Sequence, residues 1–521
     1  MYAKVEVWQN RVAGLLAIIL LCIQPLYLNA NRYMRLTWHK FIFFVVYMAI
    51  ILLAVIIIWI VRASSKPRLG PRERPYLTDW VVIGYAIITL LSALLSPYPQ
   101  TGIVFPSGSD ALVIEGNVWI GLAERYDGLL TQMLYVAIFF IIAHWYKPRM
   151  RHFVLFGVSA ILVALIGILQ FYGMDFLKLW PNHIPEYHVE NFYRIFFRST
   201  LGNVNIVSTY VCVAILLSGF LFIKTKTKWR YLWLAGSGLN FWLMELAGAD
   251  SGRVGLLVAT LLAIPIIVES LKTLGRALIL FSSWIAVYTL QKLFYEVVIL
   301  NSRTFSSLLP FIAAVVVLLA AGVIFAKRGK ELGRDDPVRW KLGIVLIVVC
   351  LAAGITGVEI LGRSDAEAGN TGIVYEMREI MHGNIQDRFG TSRVYIWRNA
   401  LEAYPNRPLI GTGPDTFAQA FPREAQSVYG EFYENAHNEY VQILICQGIL
   451  GLICYLVFLV ATLAKSVPKA FRNPMIAAAL AAFAGYCVQA FFNLSLPIVS
   501  QFIWLFAGML ANKTVRETGL G

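Results

Sequence analysis

Four side chains stand where their type and surroundings could do chemistry: His437, Arg253, Arg393 and Arg125. His437 lies in NAHNEYVQILICQGILGLICYL (435–456), where a polar stretch gives way to a long apolar run. A lone histidine is more often structural than catalytic. Here Asn435, Asn438 and Glu439 flank it at the start of the apolar run, which favours the functional reading. A neutral imidazole has an ordinary pKa near 6.5 and can accept a proton at neutral pH. That suits a general base acting on a hydroxyl.

The arginines fit an anionic ligand. A guanidinium grips phosphate with a planar fork, and a helix N-terminus adds partial positive charge. Arg253 sits in GADSGRVGLLVAT, at the start of an apolar run; its plainer role is an interface anchor. Arg393 sits in TSRVYIWRNALEAYPNRPLIGTGPDTF, where a solvated helix face is the ordinary explanation. Arg398 stands four residues before Glu402 and is expected to pair with it. Arg125, in AERYDGLLTQMLY, could simply be satisfied by Glu124 and Asp127. Each is weak alone. Together they describe a site for an anion beside a proton acceptor.

What positions them is a membrane fold. Of 521 residues, 58% are hydrophobic and 14% charged, and mean hydropathy is +0.66. A soluble fold could not bury that much apolar surface and still cover itself with polar groups. A spanning helix needs about 20 mostly apolar residues. Runs at 12–28, 41–61, 79–96, 129–145, 153–172, 205–223, 230–248, 252–269, 277–299, 305–326, 341–361, 438–464, 474–492 and 495–512 qualify, so 12–14 spans are expected. The fold class is therefore all-α and polytopic. The short first run and the closely spaced last pair are the weakest.

The formal charge of +14 is read through basic loops that set orientation and meet anionic lipid, with no nucleic acid as partner. Loops 62–78 (Arg62, Lys66, Arg68, Arg72, Arg74), 146–152, 224–230, 327–341 and 465–473 carry this charge and alternate along the chain. They are expected to face the cytoplasm, with both termini inside. Arg32, Arg35 and Lys40 contradict that pattern. If the first run is not a true crossing, the N-terminus flips out and the rest stands.

The opposite side carries segments 97–128, 173–204 (with His183, His188, Arg194 and Arg198) and 362–437. The expected division is a helix bundle over 1–361, an extracytoplasmic loop over 362–437 and C-terminal spans over 438–521. Within the loop, Val394, Trp397, Leu401 and Tyr404 recur at helical spacing, with Ser392 as N-cap. PLIGTGPDTF then reads as a turn leading into a second short helix. The N-terminal run lacks a small-residue cleavage site and reads as an uncleaved first helix. The six cysteines all lie in apolar runs and read as small buried hydrophobes. No Walker A or GxGxxG segment is present, which argues against ATP-driven transport by this chain alone.

The ordered run Arg393, Trp397, Ala400-Leu401, Pro408, Gly411-Thr412-Gly413, Phe417, Ala436-His437-Asn438 and Gly448-Ile449-Leu450-Gly451 resembles the O-antigen ligase and polymerase superfamily. Thr200-Leu201-Gly202-Asn203-Val204-Asn205 is similar to the family's Gly-Asn-Pro-Asn segment, with Val204 in place of the proline. Ser251-Gly252-Arg253 resembles its Ser-Arg segment with a glycine inserted, and ERYDGLL its Arg-x-x-Gly pattern. The resemblance implies a GT-C-like helical fold in the bacterial cytoplasmic membrane. It implies a glycosyltransferase that takes a glycan from an undecaprenyl diphosphate-linked donor to a hydroxyl on a glycan or lipid-linked acceptor. His437 would be the base. Arg253, Arg393 and Arg125 would hold the pyrophosphate, with Asn203, Asn205, Asn438 and Arg398 in support. Arginines can neutralise that leaving group, so neither cofactor nor metal is expected. A single base with no covalent carboxylate implies inversion. Asp335-Asp336 is a carboxylate pair, but it falls on the cytoplasmic side of this topology.

Other readings stay open. Ligase and polymerase are not separated. A transporter or flippase of a lipid-linked sugar would place ionisable groups near the membrane midplane, and Glu245 and Glu296 are the main charges within the spans. A sensor or scaffold would not need His437.

Overall fold

The computed structural model describes residues 2–64, 76–100, 103–107, 110–180, 196–294, 308–330, 337–367, 372–426 and 432–512. Lys66, Arg68, Arg72, Arg74, His183, His188, Arg194, Glu296, Asp335 and Asp336 lie outside them.

Every apolar run meets a helix. These are α1 (Lys4–Leu26), α2 (Leu36–Ser64), α3 (Leu77–Leu94), α4 (Leu129–Trp145), α5 (Met150–Phe171), α6 (Val204–Lys224), α7 (Arg230–Ala247), α8 (Asp250–Leu262), α9 (Leu271–Phe294), α10 (Leu309–Arg328) and α11 (Pro337–Glu367). Two loop helices follow, α12 (Ile373–Met381) and α13 (Phe389–Ala403). The chain then re-enters the bundle as α14 (Glu439–Ala470), α15 (Pro474–Gln489) and α16 (Gln501–Ala511). Among the described residues nine helices are long and apolar enough to span a membrane, and α4, α15 and α16 are shorter apolar helices. Among the described residues, strands form three short two-stranded pairs. The protein is an all-α polytopic membrane protein.

Burial orders the bundle. The apolar window of α6 is wholly enclosed, whereas none of that of α11 is. A helix that is apolar all round needs either protein or lipid on every face; α6 has the first and α11 is left for the second. α6 packs against α7, α8 and α15, α14 against α3, and α16 against α4. The segment after α3 meets the large loop directly: Ser96 Oγ donates to the Thr412 carbonyl and Arg407 Nη1 to that of Leu95.

Several expectations change. Lys40 is not a loop residue: it is fully buried in α2 and donates to the Gln24 and Pro25 carbonyls at 2.9 and 3.2 Å. Those carbonyls end α1, where a cation is favoured. Hence Lys40 does not count against the charge pattern. The first run is not short, because a π-helical turn at Ile19–Ile23 carries the helix on to Leu26. Cys350 is exposed on α11, unlike the buried Cys212 and Cys446. The buried stripe of α13 is Ile396 and Ala400, while Leu401 is 50% exposed. Phe417, Phe421 and Tyr433 cover that stripe, together with Ile445 and Cys446 of α14. Of the face that periodicity indicated, Trp397 and Tyr404 pack against this core, while Leu401 turns away and Ile396 and Ala400 fill its centre. Ser392 has a left-handed backbone and does not cap as expected.

Candidate functional site

The segment leading into α14 is built by local hydrogen bonds. Asn435 Oδ1 accepts from the His437 amide at 2.8 Å. Asn438 is the N-cap: its Oδ1 accepts from the Tyr440 and Val441 amides at 3.0 and 3.2 Å. Such a cap is worth ~1 kcal/mol. Gln442 Oε1 accepts from the Ala436 amide, and the Ala436 carbonyl accepts from Trp397 Nε1 at 2.8 Å. These contacts hold His437 at φ +47°, a costly backbone for a residue with a side chain. The ring is partly buried, and Nδ1 is sealed without a hydrogen-bond partner among the described residues. Burial, with Arg393 and Arg125 adding positive charge, pushes the imidazole down to about 3. His437 therefore rests neutral.

Arg393 follows three consecutive left-handed residues, Gly390, Thr391 and Ser392. This kink turns the start of α13 so that Arg393 Nη1 donates to the Gly390 carbonyl at 2.7 Å. Glu376 of α12 accepts from the Gly390 amide at 2.9 Å and steadies the turn. Arg393 Nε is sealed and has no partner among the described residues. Burial lowers the Arg393 pKa, against the pull of Glu376 and Asp250.

Arg125 is 3% exposed and pairs with Asp415, Nε to Oδ1 at 2.8 Å. Its Nη1 and Nη2 are sealed and unpartnered among the described residues. The expected partners Glu124 and Asp127 are not the ones it bonds. Asp127 instead accepts from Gln132 Nε2 at 2.9 Å and Ser495 Oγ at 3.2 Å. Burial, then the charge of Asp415, raises the Asp127 carboxyl well above its usual range, despite Arg125. Glu434 is raised too, by burial, with Arg125 opposing.

Arg253 is engaged by two carboxylates. Glu245 receives Nε and Nη2 at 3.2 and 3.0 Å, and Asp250 receives Nη1 at 2.8 Å. The group borders a groove of about 1010 Å³ whose walls include Phe171, Phe241, Met244, Leu257 and Trp284, with Lys292 also on its rim. The inserted Gly252 has a packing reason: a Cβ there would come within 2.1 Å of Ser208 Oγ on α6. The charge of Asp250, at the start of α8, is felt by Arg393.

Thus Arg393 and Arg125 lie within electrostatic reach of His437, and Asp250, the partner of Arg253, lies within reach of Arg393. Arg398 lies apart, paired with Asp387 at 2.7 Å and not with Glu402. Asn203 caps α6, accepting from the Asn205 amide at 2.9 Å. The Asn205 carbonyl accepts from Asn493 at 2.8 Å. Val204 occupies the first helical position, where proline is favoured. Sequence reasoning missed Asp415, Glu376 and Glu434. Asp415 stood in the GTGPDTF turn, but nothing nearby marked its partner. Among the described residues no group of three or more His, Cys, Asp or Glu has metal-binding geometry.

The Gly-Thr-Gly turn docks on a break in α14. Gly448 adopts φ +69°, ψ −176°, a glycine-only conformation. The carbonyls of Ile445 and Cys446 instead accept from the Thr412 and Gly413 amides at 3.1 and 2.9 Å, and the Ile449 amide donates to Pro408 at 2.8 Å. A Cβ on Gly411 would lie 2.4 Å from the Cys446 carbonyl carbon, and one on Gly448 2.4 Å from that of Leu409. Both glycines are required by backbone meeting backbone.

A family model described as O-antigen ligase matches residues 294–456, which covers the loop, His437 and the break at Gly448. No curated protein matches the chain.

Proposed function

On the assignment of the chain to the O-antigen ligase and polymerase superfamily, which the matched segment supports, we propose that it transfers a glycan from an undecaprenyl diphosphate-linked donor to a hydroxyl acceptor at the outer face of the cytoplasmic membrane. The observation that carries this reading is a partly buried imidazole within the positive field of Arg393 and Arg125, on a segment that α13 holds through Trp397 Nε1 and the Ala436 carbonyl. A histidine held neutral beside partly unsatisfied guanidinium groups has room in its electrostatics for a pyrophosphate. Arg393 meets the donor pyrophosphate through the part of its guanidinium not spent on the Gly390 carbonyl. Arg253 exchanges its carboxylates for phosphate oxygens as the donor arrives. Arg125, sealed behind them, contributes field and position. The apolar groove beside Arg253 takes the polyprenyl chain.

The chemistry is one displacement. His437 removes the acceptor hydroxyl proton as that oxygen bonds the anomeric carbon and the carbon–oxygen bond to the pyrophosphate breaks. The pyrophosphate leaves with the electron pair, neutralised by arginines and without a metal. The anomeric centre inverts. Purified protein with a lipid-linked donor of defined anomer tests this. Formation of product with the opposite anomer, read from proton coupling constants, supports the reading; a retained anomer or no transfer overturns it. The glycans of a deletion strain then divide the class: loss of all transfer to an anchor marks a ligase, and single-unit chains mark a polymerase.

A further inference from the structure

A second cavity, of about 400 Å³, opens beside the transfer site between the start of α2 and the segment leading to α4. That is within the size range of small-ligand pockets, ~300–1,000 Å³. One wall is aromatic. Trp38 lies 5.1 Å from Tyr126, and Tyr126 stacks on Phe41 at 4.8 Å with 13° between the planes. The rest is polar: Glu115, Glu124, Arg35 and Asn117. Both carboxylates and Arg35 are exposed; Glu124 lies within electrostatic reach of Arg35 and interacts with the Thr37 side chain. Asn117 spends its Oδ1 on the Trp119 and Ile120 amides, and its Nδ2 has no partner among the described residues.

The backbone is held unusually here. Arg35, Glu124 and Tyr126 all have positive φ, at 54°, 63° and 55°. Such strain persists only where surrounding structure enforces it, and it concentrates at functional sites. The 121–122 wall of the cavity is tied to Asp415, the partner of Arg125. Asp415 Oδ2 accepts from the Leu122 amide at 2.8 Å, and Gly121 has no room for a Cβ against that same oxygen.

We infer that this cavity is a glycan subsite, holding one sugar ring of the donor or of the acceptor while the neighbouring residues carry out transfer. The inference rests on the glycosyltransferase reading above. A pyranose presents a face of C–H bonds to an aromatic wall and a rim of hydroxyls to polar groups. A carboxylate accepts from two neighbouring hydroxyls, while Arg35 and Asn117 donate to ring or hydroxyl oxygens. Two carboxylates against one guanidinium leave the pocket net negative, so it selects neutral or amino-bearing sugars over uronic acids.

The test is saturation-transfer NMR on the full chain in nanodiscs. The probes are the oligosaccharide released by mild acid from the lipid-linked donor pool, and the acceptor glycan freed of lipid. Neither contains the pyrophosphate, so the result is independent of whether transfer occurs. Saturation of one probe is expected in the wild type, falling at least fivefold in Trp38→Ala and in Glu124→Gln and largely kept in Trp38→Phe. Glu124→Gln changes an exposed side chain without altering its shape, so it reports even if Trp38→Ala fails to fold. The probe that responds identifies donor or acceptor. Saturation of neither probe, or equal saturation in wild type and Glu124→Gln, overturns the inference. Loss of transfer with binding intact would overturn the transfer reading alone.

Discussion

Arg125 and Asp415 are 290 residues apart in the chain, yet Nε meets Oδ1 at 2.8 Å with both side chains almost fully buried. Removing one partner of a buried pair leaves an uncompensated charge, at a cost of roughly 3–5 kcal/mol. Asp415→Asn is therefore expected to lower the unfolding temperature and to abolish transfer. Arg125→Gln combined with Asp415→Asn should recover part of the stability, with a coupling of about 0.5–3 kcal/mol in a thermal double-mutant cycle. Strictly additive losses would mean that the pair does not act as a unit.

His437→Gln can still hold a hydroxyl but cannot take its proton. Base assistance is typically worth ~10²–10⁴-fold, or roughly 3–5 kcal/mol of transition-state stabilisation. The variant should lose about that much in single-turnover transfer while binding donor normally. Turnover within a few-fold of wild type would leave His437 a structural role only.

The pH profile follows from the resting state of His437. The neutral ring is the active form, and burial with Arg393 and Arg125 holds its pKa at about 3 in the empty site. At pH 5 it is already unprotonated, so kcat/KM should show no acid limb near the ordinary ~6.5. A bound pyrophosphate offsets the arginines and raises the pKa, so the acid limb of kcat should lie at higher pH than that of kcat/KM. Coincident limbs near 6.5 would contradict this electrostatic picture.

Lysine keeps the charge of arginine but loses its fork. Arg393→Lys and Arg253→Lys should each reduce transfer steeply at unchanged protein level. Arg398→Ala should be mild, because it removes only an exposed pair with Asp387. Full activity in both lysine variants would remove those residues from the donor site.

The side of the membrane is open to direct labelling. Leu401 is exposed on α13, and Leu401→Cys in a chain lacking Cys350 should react with an impermeant maleimide on intact cells. Reaction only after lysis would reverse the topology and overturn the outward site.

Apolar length was readable in the sequence because it depends on composition alone: the run at 129–145 is the helix Leu129–Trp145. The meeting of segments was not. The i,i+4 rule paired Arg398 with Glu402, but Asp387 sits closer in space. Periodicity placed Leu401 inside, but the neighbours that define the inside come from 417–446. Arg393 and His437 were legible as types in a recurring pattern. Their shared electrostatics and the role of Asp415 arise only once distant loops converge.

The docking at Gly448 also bears on how such proteins can be recombined. The amides of Thr412 and Gly413 complete the hydrogen bonding of α14 where its own ladder stops, so the large loop is not a detachable cap. A chimera cut at 362 and 437 would separate the turn from the half-helix shaped to receive it. The natural exchange unit runs from the kink at Gly390 through Gly451, so that Gly411 and Gly448 travel together and each keeps the other's backbone within reach.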